Sequence, residues 1–329
     1  MNGCREMSRK MIRESIRRVL LVALVAIAGA LCPGEAIAQL LTQHVKGAVG
    51  LKAGSLPPPG GYVVLPILYV YNTDTVKDSN GDKVPIDASI SSVFYGAGYS
   101  HVTTKKVLGG LYGFTFLFPV GANNRIQGTE IDANPGAGIT DSAVTPVSIG
   151  WHHPRADTQV AFNIFIPTGR YTDGADDNTG MGMWGYEPVV ATTIYLDGAK
   201  KYHAATELSF DVQSKKEDSE NKVGNQLNLE GGVGGDFMKG GLTVGLAYYA
   251  AFKTTDDEIA GLPGILIRGK NKSFGLGPEA TLAIPAGGKL RGFVTVRYFW
   301  ETYARTATQG SAFLIQATFL TKPIKLPGS

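Results

Sequence analysis

Connection lengths constrain this chain more than any single motif does. Segments with strand character lie near 62–71, 89–100, 109–120, 142–153, 157–166, 186–196, 202–213, 225–237, 241–253, 272–284, 290–301 and 310–320. Every other connection is long or polar: 72–88, 121–141, 167–185, 214–224, 254–271 and 302–309. Those between them are mostly tight, namely Pro154-Arg155-Ala156, Asp197 to Lys201, Met238-Lys239-Gly240 and Pro285 to Lys289, with 101–108 somewhat longer. A soluble sandwich has no reason to sort its loops by end. An even strand count, with long loops at one end and short turns at the other, is the pattern of a membrane barrel with both termini in the periplasm.

The faces of the segments agree. Between Thr158 and Ile166, Val160, Phe162, Ile164 and Ile166 alternate with Gln159, Ala161 and Asn163. Leu290, Val294, Val296, Tyr298 and Trp300 alternate with Arg291, Thr295, Arg297 and Glu301, and two further segments set Glu207 and Glu230 against leucines. Period two places one set on an apolar medium and the other on a wet one. The apolar face tends to end in aromatics (Tyr62, Trp151, Tyr186, Tyr202, Phe237, Tyr298, Trp300), as lipid-interface girdles do. The fold expected is all-β, a transmembrane antiparallel outer-membrane β-barrel of about 12 strands. Its lumen would be lined by Glu207, Glu230, Glu279, Arg291, Arg297 and Glu301, paired so that buried charge is compensated. The first segments are less tidy, with Val63, Val64, Leu65, Ile67 and Leu68 apolar on both faces.

The N-terminus reads as an export signal. Arg9, Lys10, Arg13, Arg17 and Arg18 precede an apolar run from Val19 to Leu31, and Ala36-Ile37-Ala38 is a small-x-small cleavage site. A lipoprotein signal at Cys32 is the lesser reading, because Leu31 stands where a small residue is needed. Residues 1–38 carry both cysteines, six of the 31 Lys+Arg and three of the 28 Asp+Glu, so the mature chain holds 25 of each sign and no thiol. That balance argues against a nucleic-acid partner. The destination is the outer membrane of a Gram-negative bacterium, reached through the barrel-assembly machinery, with lipid and lipopolysaccharide as surroundings. Residues 39–61 are polar and end in Pro57-Pro58-Pro59-Gly60-Gly61. They cannot start the sheet, since Pro58 and Pro59 donate no backbone hydrogen bond. The segment is a candidate luminal plug; a periplasmic tail is the alternative. The barrel then covers 62–320 and a C-terminal tail 321–329.

Motifs for cofactors are absent or out of context. Gly231-Gly232-Val233-Gly234-Gly235 and Gly180-Met181-Gly182 precede no helix, so they read as bends or close packing rather than phosphate loops. His152 and His153 face opposite ways on a strand, and Asp173, Asp176 and Asp177 lack the order of a calcium loop. No metal and no cofactor are expected. Twelve-stranded barrels also include lipases, but there is no Gly-x-Ser-x-Gly, and Ser148 with His152 is only a same-face pair.

Taken in order, several pieces carry a resemblance: Pro57-Pro58-Pro59-Gly60-x-Tyr62, the Asp78-x-x-Gly81 loop, Pro167-Thr168-Gly169-x-Tyr171, Trp184-x-x-x-Pro188, Gly277-Pro278, and Tyr298-x-x-Glu301-x-x-x-Arg305-x-x-x-x-Gly310. The chain resembles the bacterial outer-membrane proteins grouped as involved in the meta-pathway of phenol degradation. That resemblance implies passive uptake of small hydrophobic or aromatic compounds and carries no residue set with it. A structural or adhesive barrel whose loops bind a partner is the alternative, with a barrel lipase behind it. Loop 167–185 holds Tyr171, Met181, Met183 and Trp184, an apolar set large for a solvated loop. Methionine adapts its shape and tryptophan offers a flat face, so the four suit an outer substrate-binding site with Trp184 as stacking platform. The competing reading of Trp184 is a rim anchor in the headgroup layer.

Overall fold

The computed structural model describes residues 41–325, apart from 129–131, 134–135, 174, 176 and 261–269. The export signal therefore lies outside the described residues.

The strands are β1 (Gly60–Thr73), β2 (Ala88–Val107), β3 (Gly110–Gly128), β4 (Ser142–His152), β5 (Ala156–Ile166), β6 (Gly185–Tyr195), β7 (Tyr202–Gln213), β8 (Gln226–Phe237), β9 (Leu242–Lys253), β10 (Lys272–Ala286), β11 (Lys289–Arg305) and β12 (Ser311–Lys325). Each pairs antiparallel with its sequence neighbours, and β1 pairs with both β2 and β12. The sheet therefore closes as a twelve-stranded barrel with no free edge, the condition for a sheet in a bilayer. Short pairings of Val76–Lys77 with Ala307–Thr308 decorate the long-loop end.

Two boundaries differ from the sequence expectation. The stretch 101–108 is not a loop: β2 runs to Val107 and turns through Leu108 and Gly109, both at positive φ (50° and 82°). Two successive positive φ values match the right-handed strand twist, so a two-residue turn suffices. A bulge between Val102 and Lys106 disturbs the alternation that would have revealed the strand. At the other end, β12 continues to Lys325 with Ile324 opposite Leu290, so residues 321–325 belong to the barrel, not to a tail.

Alternation is cleanest in β6. Gly185, Glu187, Val189, Ala191, Thr193 and Tyr195 are buried inward, while Tyr186, Pro188, Val190 and Ile194 are exposed outward. The outward band elsewhere includes Val147, Phe162, Leu208, Val233, Leu246, Leu276, Leu282, Trp300 and Phe319. Tyr298 and Trp300 meet edge to face, with centroids 4.8 Å apart. The untidy first strand has a local cause. A bulge between Val64 and Ile67 adds one residue, so the inward parity passes from Tyr62 to Tyr69 and Tyr71. Tyr62 is consequently not a girdle residue. It is buried against Leu56 and Val102, and its hydroxyl donates to the Pro58 carbonyl.

Candidate functional site: the lumen and the segment within it

Residues 41–59 run inside the barrel, making hydrogen bonds to inward-facing side chains along their length. Nearest the long loops, Gln43 Nε2 donates to Asp141 Oδ2 (3.1 Å) and to the Met183 carbonyl (3.0 Å). Asp141 also accepts from the backbone N–H of Gly169 and Met181, which ties loop 167–184 to the same point. His44 lies between two strands, with Nδ1 2.8 Å from Glu187 Oε1 on β6 and Nε2 3.0 Å from Glu230 Oε1 on β8. Glu230 further accepts from Gly47 N (2.7 Å) and Val49 N (2.9 Å). Farther round the wall, Lys46 meets Glu301 at 3.1 Å, and Glu301 also accepts from the Tyr71 and Tyr249 hydroxyls. Arg297 pairs with Glu279 at 2.8 Å and donates to the Ala48 carbonyl, while Leu51 N donates to Glu279. Toward the turns, Gly54 N reaches Thr193, and Ser55 reaches Asp157. Charges taken from water need such partners, because an uncompensated buried carboxylate costs several kcal/mol.

Packing follows the same path. Leu51 is buried over a wall patch without side chains: a methyl added at Gly232, Gly234 or Gly245 would stand within 3 Å of its Cδ atoms. The glycine run of β8 thus provides room for a leucine. Gly47, at φ 77°, lies so close to the Phe299 ring that a Cβ would stand 2.5 Å from it.

The expected lumen residues divide. Glu207, Glu230, Glu279, Arg297 and Glu301 are all buried and inward. Arg291 is not: it is exposed in a bulge where Gly292 faces Ile284 and Leu290 faces Pro285, leaving Arg291 without a ladder partner. The four loop residues are not brought together either. Met183 is buried on the inner face, whereas Trp184 is 43 % exposed on the outer one. Trp184 N donates to Ser214 Oγ and the Trp184 carbonyl accepts from Ser214 N, so the ladder, and with it the alternation, extends past β6. This removes Trp184 from an inward stacking platform. Tyr171 lies under Lys216, whose Nζ is 5.1 Å from the ring centroid; burial and Asp173 push its phenol up to about 12. Met181 is partly buried beside it.

Sequence reasoning missed His44 and Glu187; alternation sets Asp211 on the polar face of its segment with Glu207, but the expected lumen set left it out. Inward parity on β6 and β7 was the available signal for the two acids. For His44 the only hint was a histidine in a polar segment that cannot join the sheet.

Two cavities are lined by described residues. One of about 260 Å³ lies between the segment and the wall of β2–β7, lined by Val49, Leu56, Ala161, Val189, Thr115, Thr145, Ser148, Gln159, Asn163 and Glu207. Ser148 Oγ is buried there without a hydrogen-bond partner. The other, about 480 Å³, opens at the loop end among Asn72, Asp74, Ser91, Arg125 and Gln309.

The family described as "Putative MetA-pathway of phenol degradation" matches residues 73–317, most of the barrel. The chain belongs to that family. Its fold is similar to that of an outer membrane channel from Pseudomonas putida F1, at a TM-score of 0.68 and 14% identity over 81% of this chain and 97% of that one. Two other barrels superpose loosely. They are the translocator domain of the autotransporter NalP from Neisseria meningitidis (TM-score 0.42, 8% identity, 80% and 89% covered) and the TodX monoaromatic hydrocarbon channel (0.38, 9%, 82% and 91%). No curated protein sequence matches the chain. The fold is that of an outer-membrane β-barrel.

Proposed function

We propose that this protein is a passive outer-membrane channel for small hydrophobic compounds, hydroxylated aromatics foremost. The observation that carries the reading is the cavity beside the segment. A cavity of about 150 Å³ suffices to hold benzene, and this one measures about 260 Å³. Val49, Leu56, Ala161 and Val189 offer apolar walls, and the unpartnered Ser148 hydroxyl offers one hydrogen bond to a phenol-type oxygen. The lining is mixed, since Thr115, Thr145, Gln159, Asn163 and Glu207 add polar groups beside that hydrocarbon, and placed polar groups in a concave site are what orient a small ligand carrying both a ring and a hydroxyl. The family's link to phenol degradation supports the same class of solute. In this reading residues 41–59 serve as a plug that excludes water and ions while solute passes alongside, and a signal cleaved after Ala38 delivers the chain. Trp184 and the other outward aromatics anchor the rim in the headgroup layer, where lipopolysaccharide meets the long loops.

Hydrolysis fits less well. The Ser148 hydroxyl meets no base, while the His152 ring pairs instead with Asp157 at 3.1 Å.

The test is phenol uptake by cells with an intact lipopolysaccharide leaflet, with and without the protein. Uptake should rise with expression, and Ser148→Val should lower it several-fold for phenol but little for toluene. No difference between expressing and non-expressing cells overturns the proposal.

A further inference from the structure

Around His44 the lumen gathers more negative charge than its hydrogen bonds offset. Glu187, Glu207, Asp211 and Glu230 are all buried on three adjacent strands, and the His44 imidazole lies between Glu187 and Glu230, within hydrogen-bond distance of both. Their acceptors are also incompletely used. Asp211 is fully buried; its Oδ2 accepts from Asn228 Nδ2 at 3.1 Å, and its Oδ1 makes no well-formed hydrogen bond, although the Thr42 hydroxyl lies beside the carboxylate. Gln213, the next inward residue of β7 and 2 % exposed, has neither amide atom partnered, and Gln43 Oε1 lacks a donor too. The two amide oxygens converge on Gly185, where an added methyl would stand 2.4 Å from Gln43 Oε1 and 2.8 Å from Gln213 Oε1. One ligand atom each from His44, Glu187 and Asp211 falls within 4.8 Å of the other two. Buried oxygens facing no donor leave a demand that a cation meets.

We propose that His44, Glu187 and Asp211 bind one divalent transition-metal ion of the Zn²⁺ class, with the amide oxygens of Gln213 and Gln43 beside it. One imidazole and two carboxylates are a donor set such ions accept, whereas Ca²⁺ takes oxygen alone. The geometry needs little adjustment. Metal–ligand bonds of about 2.1 Å at tetrahedral angles hold ligand atoms roughly 3.4 Å apart; His44 Nδ1 and Glu187 Oε1 now stand 2.8 Å apart. Asp211 closes the remaining distance by side-chain torsion. The ion takes the place of the Nδ1 proton, which leaves to solvent. Once bound, it cross-links residues 41–59 to β6 and β7.

The experiment uses the full chain, folded in detergent, free of any tag and stripped with chelator. Zn²⁺ is titrated in competition with a chromophoric chelator. One ion per chain is expected, with affinity at least tenfold weaker in Asp211→Asn and in His44→Gln and unchanged in Asp177→Asn on the exposed loop. X-ray absorption of wild-type protein should show a nitrogen and oxygen shell near ~2.0–2.1 Å with imidazole scattering, a readout that does not depend on the variants folding. Zn²⁺ should also slow proteolysis within residues 41–59 of wild type. Absence of stoichiometric binding, equal affinity in all three variants, or a spectrum without imidazole overturns the proposal and leaves water as the occupant.

Discussion

Replacing Glu230 by alanine is the sharpest test of how the inner segment is held. This carboxylate, 1 % exposed, accepts from Gly47 N and Val49 N and stands 3.0 Å from His44 Nε2. Alanine leaves both backbone N–H groups without an acceptor and removes the partner of one ring nitrogen. A hydrogen bond to a charged group is worth ~1.5–3 kcal/mol, so the two N–H groups alone, at the low end, amount to about 3 kcal/mol. At about 1.4 kcal/mol per decade, the fraction of molecules with the segment released rises by about 150-fold. Native-state hydrogen exchange reads that fraction directly at the amides of Gly47 and Val49, because local opening governs their protection. Protection at both should fall by about two decades, while the β8 and β9 ladder amides hold theirs. Glu230→Gln should fall between, since an amide oxygen in place of Oε1 keeps Gly47 and His44 but faces Val49 N–H with a donor. Unchanged protection in Glu230→Ala would refute the assignment of this carboxylate as the anchor.

Other outcomes follow from the same geometry. Leu51→Ala, emptying the space over Gly232, Gly234 and Gly245, should weaken docking of the segment by about 2–5 kcal/mol and raise ion conductance in planar bilayers. Val296→Arg, on the outward face opposite Ala280 and Ile315, should cost about 2–4 kcal/mol in folding titrations with lipid vesicles if it lies at mid-membrane. Trp184→Ala should slow insertion into vesicles while changing phenol uptake less than twofold; a large loss of uptake with normal insertion would return the residue to the ligand path. Tyr171, raised to about 12 in the fold from an ordinary value near 10, contributes stability that is complete below pH 10 and fades as pH climbs through 12. Tyr171→Phe should remove that component from the loop's melting profile.

The barrel was legible because its determinants are local. Period two sorts Glu187 from Tyr186 whatever the rest of the chain does, and turns such as Pro154-Arg155-Ala156 announce themselves, although the Leu108-Gly109 turn, masked by the bulge before it, did not. Pro57 to Pro59 likewise excluded the preceding residues from the sheet. The misreadings lie where one inserted residue moves a side chain to the other face. Tyr62 and Arg291 each sit beside a bulge, and no residue type reports a bulge unambiguously. Trp184 misled for the opposite reason: Ser214, thirty positions away, extends the ladder beyond the visible strand. The pairing of Glu230 with Gly47 spans 183 positions. It exists only once the barrel has closed, so no spacing in the sequence could have named it.

The inner segment has one further consequence. Glu187, Glu230, Glu279 and Glu301 form a band of carboxylates around the lumen, and each of them is bonded to a group from residues 44–51. With that stretch withdrawn, the bore would attract small cations and water, the wrong medium for the hydrophobic solute proposed above. With it seated, the charges are sheathed and Val49 and Leu56 present hydrocarbon to the adjoining cavity. Under the proposed channel function, the segment would then act as electrical insulation as well as a plug: a bore built of acids would be made fit for oil by the lining that residues 44–56 supply.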